Sequence, residues 1–124
     1  NGFVARLSGS TAEFLQIWLI MNLGTRPFFL NAQNELNLKF SPLLAGWLFD
    51  RKGKYSFNFL SKIWVAYHNP KRKDTFGKKA ARVKKIHFFT QDRNPVEISG
   101  DIIPAPYAQQ IRSRQIKRID VFFA

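Results

Sequence analysis

Tyr55-Ser56-Phe57-Asn58-Phe59-Leu60-Ser61-Lys62-Ile63-Trp64-Val65-Ala66-Tyr67 is the stretch that decides the fold. Aromatic residues at 55, 57 and 59 alternate with Ser56 and Asn58, and Ile63, Val65 and Tyr67 alternate again after a phase change near Ser61. A period of two puts one set of side chains on one face of a strand, so this reads as two consecutive extended segments or one long bent strand with a buried aromatic face. Asp50-Arg51-Lys52-Gly53 is a turn before it, and Asn69-Pro70 breaks it. Upstream, Leu36, Leu38 and Phe40 alternate with Asn37 and Lys39, and Ser41 to Trp47 reads as an ordered apolar connection. Downstream come a strand over Val83 to Thr90, a turn from Gln91 to Pro95, a short extended Val96-Glu97-Ile98, and a last strand carrying Ile119, Val121 and Phe123. Pro104 and Pro106 exclude an ordinary central strand in between, and Tyr107 to Arg114 reads as an irregular helical turn. Short strands separated by turns favour an antiparallel sandwich over alternating βαβ units.

One segment departs from this pattern. From Thr11 to Leu23 the chain carries Phe14, Leu15, Ile17, Trp18, Leu19, Ile20 and Met21, apolar on nearly every side of a helix, before Gly24 and Pro27 end it. A helix apolar all round is buried all round, and about 13 residues is too short to span a bilayer, which needs roughly 20. The rest of the chain reads mainly as strands, so the expected partners are other helices, in a domain preceding Asn1. The expected fold is therefore mainly β: an antiparallel β-sandwich over 31–124, preceded by one buried α-helix that closes a helical domain at 1–30. A chain that opens on Asn1 inside an ordered segment is expected to be the C-terminal piece of a larger enzyme.

The approach to that helix is Leu7-Ser8-Gly9-Ser10-Thr11-Ala12-Glu13. Ser10 and Glu13 have capping-box spacing, in which the hydroxyl accepts from a backbone N–H and the carboxylate reaches back. Ser8 and Gly9 then place a hydroxyl and an unshielded backbone at a helix N-terminus, which suits an anion such as phosphate. The plainer alternative is that Ser10 only caps a buried helix.

The 124 residues, 45% hydrophobic and 15% aromatic, suffice for a domain with a real core. Zero cysteines exclude a disulfide scaffold and a thiolate nucleophile or metal ligand, and fit a reducing, cytoplasmic setting. The two imidazoles, His68 and His87, lie in separate strand-like runs without a spaced partner, so no metal or other cofactor is expected. The net charge of +12 lies wholly beyond Asp50, and its densest run is Lys71, Arg72, Lys73, Lys78, Lys79, Arg82, Lys84 and Lys85. Such a run attracts polyanions or simply keeps a loop solvated. One reading of it is a stand-alone basic β module that binds nucleic acid, with Trp64, Tyr67 or Phe76 as stacking surfaces. Against this, the alternating aromatics, Phe57 and Phe59 among them, read as core. Glycan binding through Trp47 or Trp64 is a further alternative, although a tryptophan among apolar neighbours is expected in the core.

The order of elements, with Ser8-Gly9-Ser10-Thr11 at the cap, then Leu36-Asn37-Leu38-Lys39-Phe40-Ser41-Pro42-Leu43-Leu44 and Trp47, resembles the C-terminal end of glycoside hydrolase family 94 carbohydrate phosphorylases, the cellobiose phosphorylase type within the six-hairpin glycosidases. Serine stands here where that family has threonine, Thr11 where it has alanine, and a second proline of its apolar passage is absent. The resemblance implies that the helix is the last of an (α/α)6 barrel and that the β-sandwich is a structural cap. It places Ser8 and Gly9 at the inorganic phosphate, the co-substrate that attacks the glycosidic bond with inversion. It implies a disaccharide or oligosaccharide substrate held through the barrel, and a general acid supplied by the barrel, so that no catalytic residue is assigned here and the isolated chain is expected to be inactive. No membrane partner is expected, nucleic acid is disfavoured, and a homodimer is left open.

Overall fold

The computed structural model describes the backbone of residues 2–124 and the side chains of residues 13–124. Its elements are α1 (Gly2–Leu23), β1 (Phe28–Leu30), β2 (Leu36–Lys39), a single 3-10 turn at Gly46–Leu48, β3 (Lys54–Phe59), β4 (Ile63–His68), β5 (Val83–Phe89), β6 (Pro95–Ser99), β7 (Ile102–Ile103), α2 (Tyr107–Arg112) and β8 (Arg118–Phe123). The protein is mainly β, as the alternation predicts. The strand-built part begins at Phe28, inside the segment assigned to the helical domain, because β1 pairs with β2 from Phe28↔Leu38 to Leu30↔Leu36.

Two sheets form. β1, β2 and β7 make a small antiparallel sheet, and β3-β4-β8-β5-β6 a larger one. The larger sheet is mixed: β4 and β8 run parallel, while the other neighbours are antiparallel. A parallel pair needs a long crossover, here everything from Asn69 to Lys117, and it carries the last strand of the chain into the middle of the sheet.

The bend near Ser61 is a tight hairpin. Phe59 pairs with Ile63, and Leu60 and Ser61 between them take φ of 55° and 63°, the left-handed region. The preceding turn is shaped by Asp50, whose Oδ1 accepts the N–H groups of Lys52 and Lys54, both at 2.9 Å. Gly53 is needed there: its φ is 77°, and a Cβ would stand 2.2 Å from the Asn69 carbonyl oxygen.

With register fixed in this way, alternation sorts the larger sheet. Phe57, Phe59, Ile63, Val65, Tyr67, Ile86, Phe88, Ile119, Val121 and Phe123 turn into one core with Leu38, Phe40, Leu44 and Phe49, and the α2 residues Ala108 and Ile111 close it. The aromatic face of the opening stretch is therefore core. The two tryptophans expected there are not: Trp47 is 78% and Trp64 54% exposed. Trp64 lies between Ile63 and Val65 and must point to the opposite face, so the strand period overrides its hydrophobicity. Trp47 sits in the 3-10 turn, where its chain neighbour Gly46 packs against the Arg72 carbonyl and turns the indole outward.

Because Ser61 is exposed and holds a left-handed backbone that costs an L-residue roughly 1–2 kcal/mol, Ser61→Gly should stabilise the protein by about 0.5–1 kcal/mol once the glycine's unfolded-state entropy is offset. Urea denaturation of the two proteins measures the difference.

Candidate functional site

The C-terminal end of α1 is where the helix meets the strands, and its bonding is complete. The last four carbonyls of any α-helix lack partners within the helix. Here Gly24 N–H donates to the Ile20 carbonyl at 2.9 Å, Leu43 N–H to Met21 at 2.7 Å, and Ser41 N–H to Leu23 at 2.9 Å, while the Tyr67 hydroxyl donates to the Asn22 carbonyl. Gly24, with φ of 102°, makes the left-handed stop expected of it. Tyr67 is wholly buried, and burial pushes its phenol well above the usual value, with a further rise from neighbouring Tyr55. Burial also raises the Tyr55 phenol, against the adjacent Asn22 side chain, which lowers it. The Asn22 amide donates from Nδ2 to the Trp18 carbonyl at 2.8 Å, and its Oδ1 is buried without a protein partner.

The described helix is covered only towards its C-terminal end. Trp18 meets Phe57 edge-on at 5.7 Å and Leu23 is buried, whereas Phe14 (67% exposed), Leu15, Ile17 (58%), Leu19 and Met21 are exposed. The helix expected to be buried all round thus packs against the rest of the chain through its last turns, while the turn from Phe14 to Ile17 is exposed on every side. The helix expected from Thr11 begins at Gly2, so Ser8 and Gly9, the expected phosphate ligands, and Ser10, the expected cap, lie inside α1 and not at its N-terminus; their side chains lie outside the described residues.

Six of the eight residues of the basic run lie on the loop between β4 and β5, with Lys84 and Lys85 on β5 itself, and the loop is well anchored. Thr75 Oγ1 donates to the Pro42 carbonyl at 2.7 Å and accepts the Leu44 N–H at 2.8 Å, and Asp74 Oδ1 accepts the Gly46 N–H at 2.8 Å. Asn69, buried, donates from Nδ2 to the Lys73 carbonyl at 2.7 Å. Lys73, Lys78 and Lys79 surround an open cavity of about 830 Å³ with Phe76 at its side. Among the described residues only Lys85 of the run reaches a carboxylate, Glu97 at 3.5 Å. Of the three stacking surfaces expected for nucleic acid, Trp64 and Phe76 are exposed and Tyr67 is core.

The outward face of the larger sheet gathers polar residues far apart in sequence. His68 Nε2 lies 2.8 Å from Asp120 Oδ1, and Arg118 donates from Nη2 to Oδ1 at 3.1 Å and from Nε to Oδ2 at 3.2 Å. His87 is the register partner of Asp120 on β5, so the two imidazoles flank one carboxylate. Phe122 stacks on His68 at 4.6 Å, and Lys85 Nζ lies over the Phe122 ring, 5.0 Å from its centroid. Burial works to raise the Asp120 carboxyl, but hydrogen bonds and charge from Arg118 and His68 outweigh it and hold the carboxyl below its usual range; the same pairing raises the Arg118 guanidinium. Sequence spacing hides this cluster, since His68 and Asp120 meet only through the parallel β4–β8 pairing. Among the described residues no three His, Cys, Asp or Glu side chains are placed to hold a metal ion, and no helix is long and apolar enough to cross a membrane. No family model matches the sequence, and no solved structure matches the fold.

Tyr67→Phe removes the donor for a buried carbonyl and leaves the ring packing intact, so it should cost about 1–3 kcal/mol in urea denaturation. Asp120 has a folded pKa below its ordinary value of 3.8, so its stabilising contribution is full above that value and is lost as pH falls through the lower folded one. The stability gap between wild type and Asp120→Asn should therefore hold steady near neutrality and close in the acid range below about pH 4, as followed by denaturation at a series of pH values.

Proposed function

We propose that this chain is the C-terminal part of a carbohydrate-active enzyme that cleaves a disaccharide or oligosaccharide by inverting phosphorolysis, its strands forming a structural cap on a helical catalytic domain. The observation that carries the reading is the division of α1 along its length: Tyr67 and the segment after β2 bind its last carbonyls, Trp18 packs on Phe57 and Leu23 is buried, while Phe14, Leu15, Ile17, Leu19 and Met21 stay exposed. An exposed apolar stretch of helix of this kind is stable against other helices, as in the last helix of an (α/α)6 barrel. The resemblance of Ser8-Gly9-Ser10-Thr11, Leu36 to Leu44 and Trp47 to glycoside hydrolase family 94 phosphorylases points the same way.

On this reading Ser8 donates its hydroxyl to an oxygen of inorganic phosphate, and Gly9, with no side chain, lets the phosphate approach closely. A phosphate oxygen attacks the anomeric carbon, the glycosidic C–O bond breaks with inversion, and a carboxylic acid of the helical domain protonates the departing oxygen. The strands contribute no reacting group; they fix the end of the helix that carries the phosphate ligands. The setting is cytoplasmic, and the products are a sugar 1-phosphate and a shortened acceptor.

The test compares this chain with a protein extended upstream through the helical domain, incubated with β-linked disaccharides and phosphate. Phosphate-dependent release of sugar 1-phosphate by the extended protein, its loss in the Ser8→Ala, Gly9→Val double variant and no turnover by the chain alone are the expected results. Turnover by the chain alone, or an unaltered double variant, would overturn the assignment.

A further inference from the structure

The outward face of the larger sheet carries a row of side chains that the cap role does not use. Asn58 pairs with Trp64, and Trp64 with Arg118. Phe88 pairs with Ile119, which sets Phe89 opposite Arg118, and Phe89 in turn pairs with Pro95. Asn58, Trp64, Arg118, Phe89 and Pro95 thus form one line across five strands. Its two aromatic members are both more than half exposed and stand two strand spacings apart, about 10 Å, with a guanidinium between them. The strand period alone would place any residues here, but an exposed Trp and an exposed Phe in one row of a sheet face are unusual for a merely solvated surface.

The polar groups beside the row are pre-set. Arg118 is held by Asp120 through two hydrogen bonds, and Asp120 is held in turn by His68. This leaves a rigid set of donors and acceptors in which Asp120 offsets the Arg118 charge. Adjoining Phe89 and Arg118 is a cavity of about 360 Å³ lined also by Thr90, Gln91, Arg93, Gln115 and Lys117, which offer hydroxyl, amide and cationic groups.

From this arrangement we infer that the row Asn58-Trp64-Arg118-Phe89 is an oligosaccharide-binding surface, distinct from the phosphate corner and independent of the phosphorolysis reading. The apolar faces of two sugar rings stack on Trp64 and Phe89, and the hydroxyls between them are bound by Arg118, Asp120 and Gln115. A polyanion fits less well. Arg118 is already matched by a carboxylate, and six of the eight residues of the densest basic run lie on the loop between β4 and β5, at the opposite end of the strands from Trp64 and Phe89.

The experiment is titration of this chain with soluble hexasaccharides of β-1,4-glucose, α-1,4-glucose and β-1,4-xylose, and with single-stranded oligodeoxythymidylate, by calorimetry at low and high salt. The expected result is binding of at least one hexasaccharide with little salt dependence, weakened about tenfold by Trp64→Ala and by Phe89→Ala and unchanged by Trp47→Ala, a still more exposed indole outside the row. Circular dichroism of the variants should match wild type, because all three side chains are at the surface. No binding of any of the three sugars, binding indifferent to Trp64 and Phe89, or binding of the oligodeoxythymidylate alone with steep loss in salt would each overturn the inference.

Discussion

The four carbonyls that end α1 are the constraint on which the rest of the structure depends. Ile20 keeps the i→i−4 bond from Gly24, the residue that ends the helix, and the other three are bound from elsewhere: Met21 by Leu43, Leu23 by Ser41, and Asn22 by the Tyr67 hydroxyl. A helix terminus buried without such partners would forfeit on the order of 1–3 kcal/mol for every unpaired group, so the strands and the helix have to close on each other together. Tyr67 is the residue common to both sides. Its ring stands in the centre of the aromatic core, against Phe40, Phe57 and Phe123, while its hydroxyl reaches the helix. Core packing therefore fixes the direction in which α1 leaves the domain.

That direction has a functional consequence. The helix is gripped at its C-terminal end, and it leaves Phe14, Leu15, Ile17, Leu19 and Met21 exposed as it runs away from the strands. The loop carrying the basic run serves the same junction from behind, since Thr75 and Asp74 bind the backbone of Leu44 and Gly46, immediately after the segment that caps the helix. In the role proposed above, a cap that orients a helix of a catalytic domain needs this kind of rigidity close to the helix end and little chemistry of its own. The outward sheet face, with Trp64 and Phe89 in line, lies on the other side of the sheet from the core and is free to take a separate role.

Much of the architecture was legible from residue order alone. Alternation at Tyr55, Phe57, Phe59, Ile63, Val65 and Tyr67 identifies strands and the face they bury, and Gly24 marks the helix stop, because both signals are local. The same alternation places Trp64 outward, but its hydrophobicity argues for the core, and backbone geometry wins that conflict. The central position of β8 and the meeting of His68 with Asp120 were not legible, because they depend on a parallel pairing across a long crossover that no local pattern encodes. The Tyr67 contact with Asn22 was hidden for a similar reason: the periodicity marks the ring as buried, but only the packed helix reveals a use for the hydroxyl. The corner carrying Ser8 and Gly9 is approached from sequence alone, since those side chains lie outside the described residues.

The most direct test of the account is hydrogen exchange along α1 in this chain, followed residue by residue from Glu13 to Gly24. If the strands hold the helix by its end, amides of the last turn should be protected to nearly the stability of the strand core, with protection falling steeply towards Glu13, and adding the upstream helical domain should extend it along the helix. Uniform protection from Glu13 to Gly24 in the monomeric chain alone would contradict the account, because the exposed face would then need no helical partner.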